Sequence, residues 1–421
     1  MLSPRPYPCP APQNEMSKKS IEDLSAEELD GRRVLVRVDY NVPLDGEGRV
    51  ADDTRIRATL ATLGRLRSAG ARVVILAHFG RPGGMPDPAL SLRPAAQRLG
   101  ELLGAPVDFC EDTVGPDVAA RIEAMRGGDV LVLENTRFDP GETTNGPELA
   151  AALAALGDVY VNDAFGAAHR AHASTAGVAG RIRAQGGQAV AGLLMEKELR
   201  FLGAALTDPG RPFVAVIGGA KISGKIDVIE ALLPGVDRLL IGGAMANTFF
   251  LALGLEVGGS LVERDRVEMA REILAKGGEQ IILPVDCVVA DRIAEDAATR
   301  VVDRDGVGPG DLIADIGVQT RHLYAGELVG ASTVLWNGPM GVFELAPFAE
   351  GTLSVARAAA EATDRGAVTI LGGGDSAAAA EAAGVTARLS HISTGGGASL
   401  EFLAGARLPG VEALSDSENS A

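Results

Sequence analysis

Short apolar runs rich in β-branched residues alternate along the chain with longer stretches dominated by Ala, Leu and Arg. In the first half the runs are VLVRV (34–38), VVIL (73–76), VLVL (130–133) and VYV (159–161). In the second half they are FVAVI (213–217), LLI (239–241), IIL (281–283), TVLW (333–336) and VTIL (368–371). Such short runs predict strands buried on both faces, and the stretches between them predict covering helices. Asp52-Asp53-Thr54, for example, offers capping chemistry to a helix whose apolar positions Ile56, Leu60, Leu63 and Leu66 follow a 3.6-residue period. The expectation is an α/β protein of two doubly wound parallel-sheet domains. The helical stretch LLMEKELRFLGAAL (193–206), followed by TDPGRP, predicts an inter-domain helix with a boundary near 190–210. The longest uncharged run, Leu239 to Leu255, contains Gly242-Gly243 and Asn247-Thr248 and reads as a strand and a buried helix, not a membrane span.

Composition narrows the function. A chain of 421 residues exceeds one ordinary core. A net charge of −17 argues against binding nucleic acid or an anionic membrane through overall charge, so any bound anion needs a local concentration of donors. Aromatics at 4% leave few surfaces for base stacking. Cys9, Cys110 and Cys287 are far apart and odd in number, which predicts a reducing, cytoplasmic compartment without a disulfide framework. Residues 1–16 carry prolines at 4, 6, 8, 10 and 12 without an apolar core, predicting a disordered extension and not a signal peptide. Met16, opening MSKKSIEDL, is a candidate start.

In parallel sheets, ligands bind beyond the carboxyl ends of the strands. In the first half those ends carry Asp39-Tyr40-Asn41, His78-Phe79-Gly80-Arg81, Glu134-Asn135-Thr136-Arg137 and Asn162 through His169-Arg170. Alternation puts Arg37, Asp39 and Asn41 on one face of the first strand, and Arg55 begins the following helix. Arg81, Arg137 and Arg170, with His78 and His169, thus converge on one edge, an arrangement suited to a phosphate-bearing anion because guanidinium pairs bidentately with phosphate. With 39 Lys and Arg in all, a single arginine is ordinarily a surface residue, and the convergence carries the reading. Asp39 and Asn41 suit either a turn before Pro43 or contacts to substrate hydroxyls.

Glycine marks the strand ends of the second half: Gly218-Gly219, Gly242-Gly243, Asn337-Gly338, Gly372-Gly373-Gly374-Asp375-Ser376 and Gly395-Gly396-Gly397. Several such turns on one edge present backbone N–H groups to a polyphosphate. Lys221 and Lys225, four apart beside the first turn, are expected on one helical face. Gly219-x4-Gly224-Lys225 matches a P-loop up to its last position, where Ile226 replaces the hydroxyl residue, so a P-loop-like NTPase is an alternative. Asp375 is a candidate metal-nucleotide ligand or a helix cap.

These motifs resemble those of the phosphoglycerate kinase family. RVDYNVP (37–43), HFGRP (78–82), ENTRF (134–138), NDAFGAAHRAH (162–172), GGAKISGK (218–225), WNGPMGVFE (336–344), GGGDS (372–376) and STGGGAS (393–399) stand in family order over about residues 31–410. The resemblance implies a phosphoglycerate-binding domain over 17–190, an inter-domain helix and nucleotide-binding domain over 191–405, and a segment 406–421 that packs back on the first domain. It implies substrate contacts at Asp39, Asn41, Arg55, His78, Arg81, Arg137 and Arg170, and nucleotide contacts at Lys225, Asn337, Glu344, Gly373, Gly374, Asp375 and Ser376. Glu344 is expected on the ribose, Asp375 on Mg²⁺, and Arg55, Lys221, Gly373 and Gly396 around the transferring phosphoryl group. The implied protein is a monomer whose two domains close on 3-phosphoglycerate or 1,3-bisphosphoglycerate and ATP or ADP. Ala77, Phe79, Ser376 and Val318 depart from the usual Ser, Leu, Thr and Pro, and none of these removes a charge. A non-catalytic anion- or nucleotide-binding protein of the same fold is the second alternative.

Overall fold

The computed structural model describes residues 18–417, so the Pro-rich extension over 1–16 lies outside the described residues. The chain forms two compact units. One runs to Arg200 and takes back the chain from Arg407, and the other is Phe201–Ala406. The division falls inside the helix Leu193–Thr207, which passes from one unit into the other.

The first unit is built on strands β1 (Arg33–Val38), β2 (Arg72–Leu76), β3 (Asp108–Phe109), β4 (Val130–Val132), β5 (Val159–Asp163) and β6 (Gln188–Ala191). They pair in the order β3-β4-β2-β1-β5-β6, all parallel. Strand order reverses across β1, so the ends of β4, β2, β1 and β5 lie side by side on one edge. Val34, Val36 and Val38 pack with Ile56, Leu63 and Leu66, which is the burial that the helical period anticipates. That helix is nevertheless two pieces, Thr54–Ala58 and Leu60–Ser68. At the break the Thr59 hydroxyl bonds the Ile56 carbonyl (2.9 Å) and the buried Tyr40 hydroxyl (2.9 Å). Its start is also held differently from expectation. Asp52 accepts from the Thr54 amide (2.8 Å), while Asp53, at the cap position, spends its carboxylate on Arg57 and Arg98.

The returning C-terminal segment is stitched into this unit. The Ser415 amide donates to the Ala189 carbonyl (2.7 Å), the Lys19 amide to the Ser415 carbonyl (2.8 Å), and Asn162 Nδ2 to the Gly410 carbonyl (3.0 Å).

In the second unit β7 (Phe213–Ile217), β8 (Arg238–Ile241), β9 (Ile281–Ile282), β13 (Thr333–Asn337), β14 (Val368–Gly372) and β15 (His391–Ile392) form a parallel sheet ordered β15-β14-β13-β7-β8-β9. Trp336, Val334 and Val216 pack against Tyr324, Val355 and Ala359 from the covering helices. The uncharged run becomes β8 and the buried helix Met245–Ala252, as its glycines indicate. One layer has no counterpart in the sequence reading. β10 (Asp286–Ala290), β11 (Thr299–Asp303) and β12 (Leu312–Ile316) form an antiparallel sheet ordered β11-β10-β12. Among the described residues, no helix is long and apolar enough to cross a membrane.

Candidate active site

In the first unit, four adjacent strand ends bring cations together. Beyond β1, Asp39 is half-buried and accepts from Arg55 Nη1 (3.0 Å), which also reaches the Asn41 carbonyl (3.2 Å). The Asn41 side chain accepts the Gly80 amide (2.9 Å), tying the loop after β1 to the loop after β2. Asn41 and Asp39 therefore serve the turns and remain on an accessible face. Beyond β4, Asn135 caps the short helical turn Thr136–Phe138 and donates to the carbonyls of Phe79 (2.7 Å) and Leu90 (2.9 Å). This turn aims Arg137 at the Gly80 carbonyl (2.8 Å) and leaves its Nε buried without a partner. Burial lowers the Arg137 pKa, and the charges of Arg37, Arg170 and Arg81 lower it further, opposed by Glu142. Arg81 and Arg170 are exposed.

Of the two histidines expected here, His78 is buried against Arg37 (Nδ1 to Nη2, 2.9 Å). His169 accepts from Arg170 Nε (3.0 Å) instead of reaching into the cluster. His172, which the sequence reading did not single out, is the second histidine of the site. Burial pushes it down to about 4; Glu142 beside it pulls the other way, and Arg137, Arg37 and Arg170 add to the lowering. An unsatisfied buried donor amid mutually repelling guanidinium groups is unfavourable unless an anion completes it.

The second unit answers the same need with backbone. Three of its glycine turns touch: a Cβ on Gly218 would lie 2.2 Å from the Pro339 carbonyl oxygen, one on Gly338 2.3 Å from that of Gly218, and one on Gly243 2.5 Å from Gly219 N. Only glycine permits this approach. Gly373, at φ +90°, starts the helix Gly374–Ala382 directly after β14, and Gly396, at φ +53°, starts Gly397–Leu403 after β15. Both helices thus point free N–H groups along the sheet edge.

Lys221 and Lys225 do not share a helical face. The helix begins only at Ile226, and both lysines sit in the preceding loop, which Glu263 pins through the Ser223 amide (3.0 Å). Glycine at 218, 219 and 224 favours loop over helix here, which overturns the expected register. Lys221 is exposed, whereas Lys225 is largely enclosed and contacts Asn337 Oδ1. Burial pushes the Lys225 pKa down to about 8, opposed by the Asp375 charge. Asn337 Nδ2 is a buried donor without a partner. The Ser376 hydroxyl is fully buried and accepts the Gly338 amide (2.8 Å), so it clamps two turns together.

Beside these turns lies a cleft of about 600 Å³ lined by Gly219, Gly243, Leu312, Met340, Glu344 and Asp375 among others. Its walls are chiefly apolar, with Glu344 and Asp375 exposed at the edge. Cys287 also lines it, and burial pushes that thiol up to about 12, so it is inert. Among the described residues no cluster of three His, Cys, Asp or Glu side chains stands ready to hold a metal alone. A single exposed carboxylate, Asp375, fits a magnesium ion that brings phosphate and water ligands with it.

A family model described as phosphoglycerate kinase matches residues 21–406. The phosphoglycerate kinase of Chloroflexus aggregans is 55% identical over 96% of this chain and 100% of its own length. That of a Synechococcus strain is 53% identical over 95% of this chain and 100% of its own. Among solved structures, the phosphoglycerate kinase from Coxiella burnetii superposes with a TM-score of 0.85 at 41% identity, covering 94% of this chain and 98% of that one. The Pyrococcus horikoshii enzyme gives 0.80 at 34% identity, covering 96% and 100%.

Proposed function

The chain belongs to the phosphoglycerate kinase family, and from that premise we propose how its own residues carry out the reaction. The enzyme transfers a phosphoryl group reversibly between 1,3-bisphosphoglycerate and ADP, giving 3-phosphoglycerate and ATP. The observation that carries the assignment of roles is the division of labour between the units: a cluster of arginines with a buried unpaired donor on one, touching glycine turns beside an apolar cleft on the other.

Phosphoglycerate is held by Arg81, Arg137 and Arg170 on its phosphate, with Asp39, Asn41 and His78 on its hydroxyl and carboxyl end. The nucleotide base lies in the cleft, Glu344 takes the ribose, and Lys225, Asn337 and the turn Gly373-Gly374 take the phosphates. Ser376 acts by clamping that turn. Mg²⁺, held by Asp375, supplies charge neutralisation on the nucleotide phosphates. No general base is needed, because the acceptor is a carboxylate already ionised at neutral pH. The protein's work is therefore positioning and electrostatic stabilisation. Lys221, exposed, and Arg55, half-buried beside Asp39, are long enough to follow the phosphoryl group as charge spreads over its oxygens, with the N–H groups at Gly373 and Gly396. Transfer requires the reacting atoms within about 3–3.5 Å, so the two units close on their substrates, expelling water that would otherwise hydrolyse the acyl phosphate. The protein works as a cytoplasmic monomer.

The test supplies 3-phosphoglycerate and MgATP and traps acyl phosphate with hydroxylamine. Hydroxamate should require both substrates. Arg55→Ala and Lys221→Ala should each lose about two to three decades of turnover, the cost of one transition-state donor. Less than a tenfold loss in both would overturn their roles, and nucleotide binding without product would favour the non-catalytic alternative.

A further inference from the structure

We propose that Arg37 is a positioning residue for the phosphoglycerate site: from beneath it, the guanidinium holds His78 as a neutral ring with its proton on Nε2, so that the imidazole offers substrate one fixed donor. The proposal rests on the reading of His78 as a substrate contact.

Arg37 is fully buried, so it cannot itself touch an anion arriving from solvent. Its Nη2 lies 2.9 Å from His78 Nδ1. A guanidinium has donors and no acceptor, so the ring nitrogen must accept, and a neutral imidazole that accepts at Nδ1 carries its hydrogen at Nε2. His78 keeps 7% exposure, and with Nδ1 taken by Arg37, Nε2 is the ring nitrogen left for substrate. Burial holds His78 well below the ordinary histidine range, and the charges of Arg37, Arg137, His172 and Arg55 act in the same direction.

The orientation of Arg37 is fixed in turn. Its Nη1 donates to the Val38 carbonyl, and its Nε donates to Ser174 Oγ (2.9 Å). The Ser174 hydroxyl hydrogen goes to Glu142 Oε1 (2.6 Å), and the Ser174 amide donates to Oε2 (2.9 Å). Thr136 Oγ1 donates to the same carboxylate (3.2 Å), which is completely buried. The direction of every hydrogen from Arg37 to Glu142 is therefore determined, leaving His78 one permitted tautomer. The network also joins residues on or just after four strands: Arg37 on β1, His78 after β2, Glu142 after β4 and Ser174 after β5. Glu142 balances the buried arginine through Ser174. In a pocket already crowded with arginine charge, a neutral histidine adds direction to binding without further repulsion, and its contribution stays constant through neutral pH.

The test begins with the unaltered enzyme. In ¹⁵N-labelled protein, with His78→Gln to assign the signals, His78 should show an unprotonated Nδ1 and a protonated Nε2, unchanged from pH 5.5 to 8. A proton on Nδ1, or titration near pH 6.5, overturns the proposal while leaving the substrate contact standing. Ser174→Ala and Arg37→Lys loosen the hold on the ring. Each should mix the tautomers and raise KM for 3-phosphoglycerate by about threefold to tenfold, the worth of one hydrogen bond, with KM for MgATP unchanged. The loss should deepen on one side of neutrality as His78 begins to titrate. Mixed tautomers with an unmoved KM overturn the positioning role. An unmoved KM in His78→Gln overturns the substrate contact itself, and the proposal with it.

Discussion

Asp315 gives a test of stability whose sign is fixed by burial alone. Its carboxyl lies in the fold of the second unit, 3% exposed, with Oδ2 accepting the Gly351 amide (2.6 Å) and Oδ1 buried without a partner. It is wedged so closely that a Cβ on Gly341 or Gly351 would lie 2.4 or 2.1 Å from Oδ1. Burial raises its pKa from 3.8 to about 7; hydrogen bonds from the backbone at Gly351 and Ile316 and the Arg321 charge oppose the rise only in part. Between those two values the unfolded chain has released a proton that the folded chain retains. Stability therefore falls as pH rises through this window, then stays level above it. At about 1.36 kcal/mol per pH unit, the full change is about 4 kcal/mol. Asp315→Asn keeps an oxygen for Gly351 and removes the titration. Whatever the substitution costs at pH 4, the gap between wild type and variant must then move by about 4 kcal/mol in favour of Asn by pH 8. Trp336, the protein's single tryptophan, is fully buried in the same unit and reports its unfolding in urea at each pH. A gap that moves by less than about 1 kcal/mol, or toward Asp, would refute the argument that the site disfavours the charged carboxylate.

Other outcomes follow from the same geometry. Because the Lys225 pKa is lowered to about 8 by burial, its charge is lost as pH rises past that value. Nucleotide affinity should fall by up to about tenfold between pH 7 and 9.5, and Lys225→Arg should flatten the profile in equilibrium titrations. Gly243→Ala places a side chain at φ +70° with its Cβ 2.5 Å from Gly219 N. It should lose about 1–3 kcal/mol from backbone strain alone and weaken nucleotide binding while leaving phosphoglycerate binding unchanged. Buried Glu134 accepts the Leu92 amide (2.9 Å), the Asn135 amide (2.7 Å) and the Ser91 hydroxyl (2.7 Å). Glu134→Ala should cost about 2–6 kcal/mol in denaturant melts, at about 1–3 for each amide left unpaired, and raise KM for phosphoglycerate by loosening Arg137. Full stability in that variant would show that the loop needs no such anchor.

Much of the fold was legible because the strands of a parallel sheet are written as apolar runs, and the residues beyond their carboxyl ends follow without further assumption. The antiparallel sheet escaped that rule. β11 reads TRVVD, with Thr299, Arg300 and Val301 exposed, so it pairs through its backbone while burying almost nothing. β3 and β15 are two residues each, too short to leave a pattern. The lysine loop was misplaced for a different reason. The spacing of Lys221 and Lys225 suits a helix, but Gly224 and the Glu263 contact to Ser223 are what determine the backbone, and the second of these is contributed from 40 positions away.

The candidate site shows where pattern stops being informative. Alternation assigns Arg37, Asp39 and Asn41 to one face of the first strand; in the structure only Arg37 lies within β1, and the three meet different partners: Arg37 against His78, Asp39 against Arg55, Asn41 against Gly80. What alternation does not carry is depth. Along those residues the chain rises out of the sheet, from a fully buried arginine through a half-buried aspartate to an exposed asparagine. One strand and the loop that follows it therefore supply an internal brace at one end and accessible ligand groups at the other. A chain with a net charge of −17 can hold a cluster of arginines only where local partners compensate them. The deepest of these, Glu142 and Ser174, lie more than a hundred residues beyond Arg37 in sequence. Spacing on a strand assigns residues to a face; the long-range partners decide which of them can meet substrate.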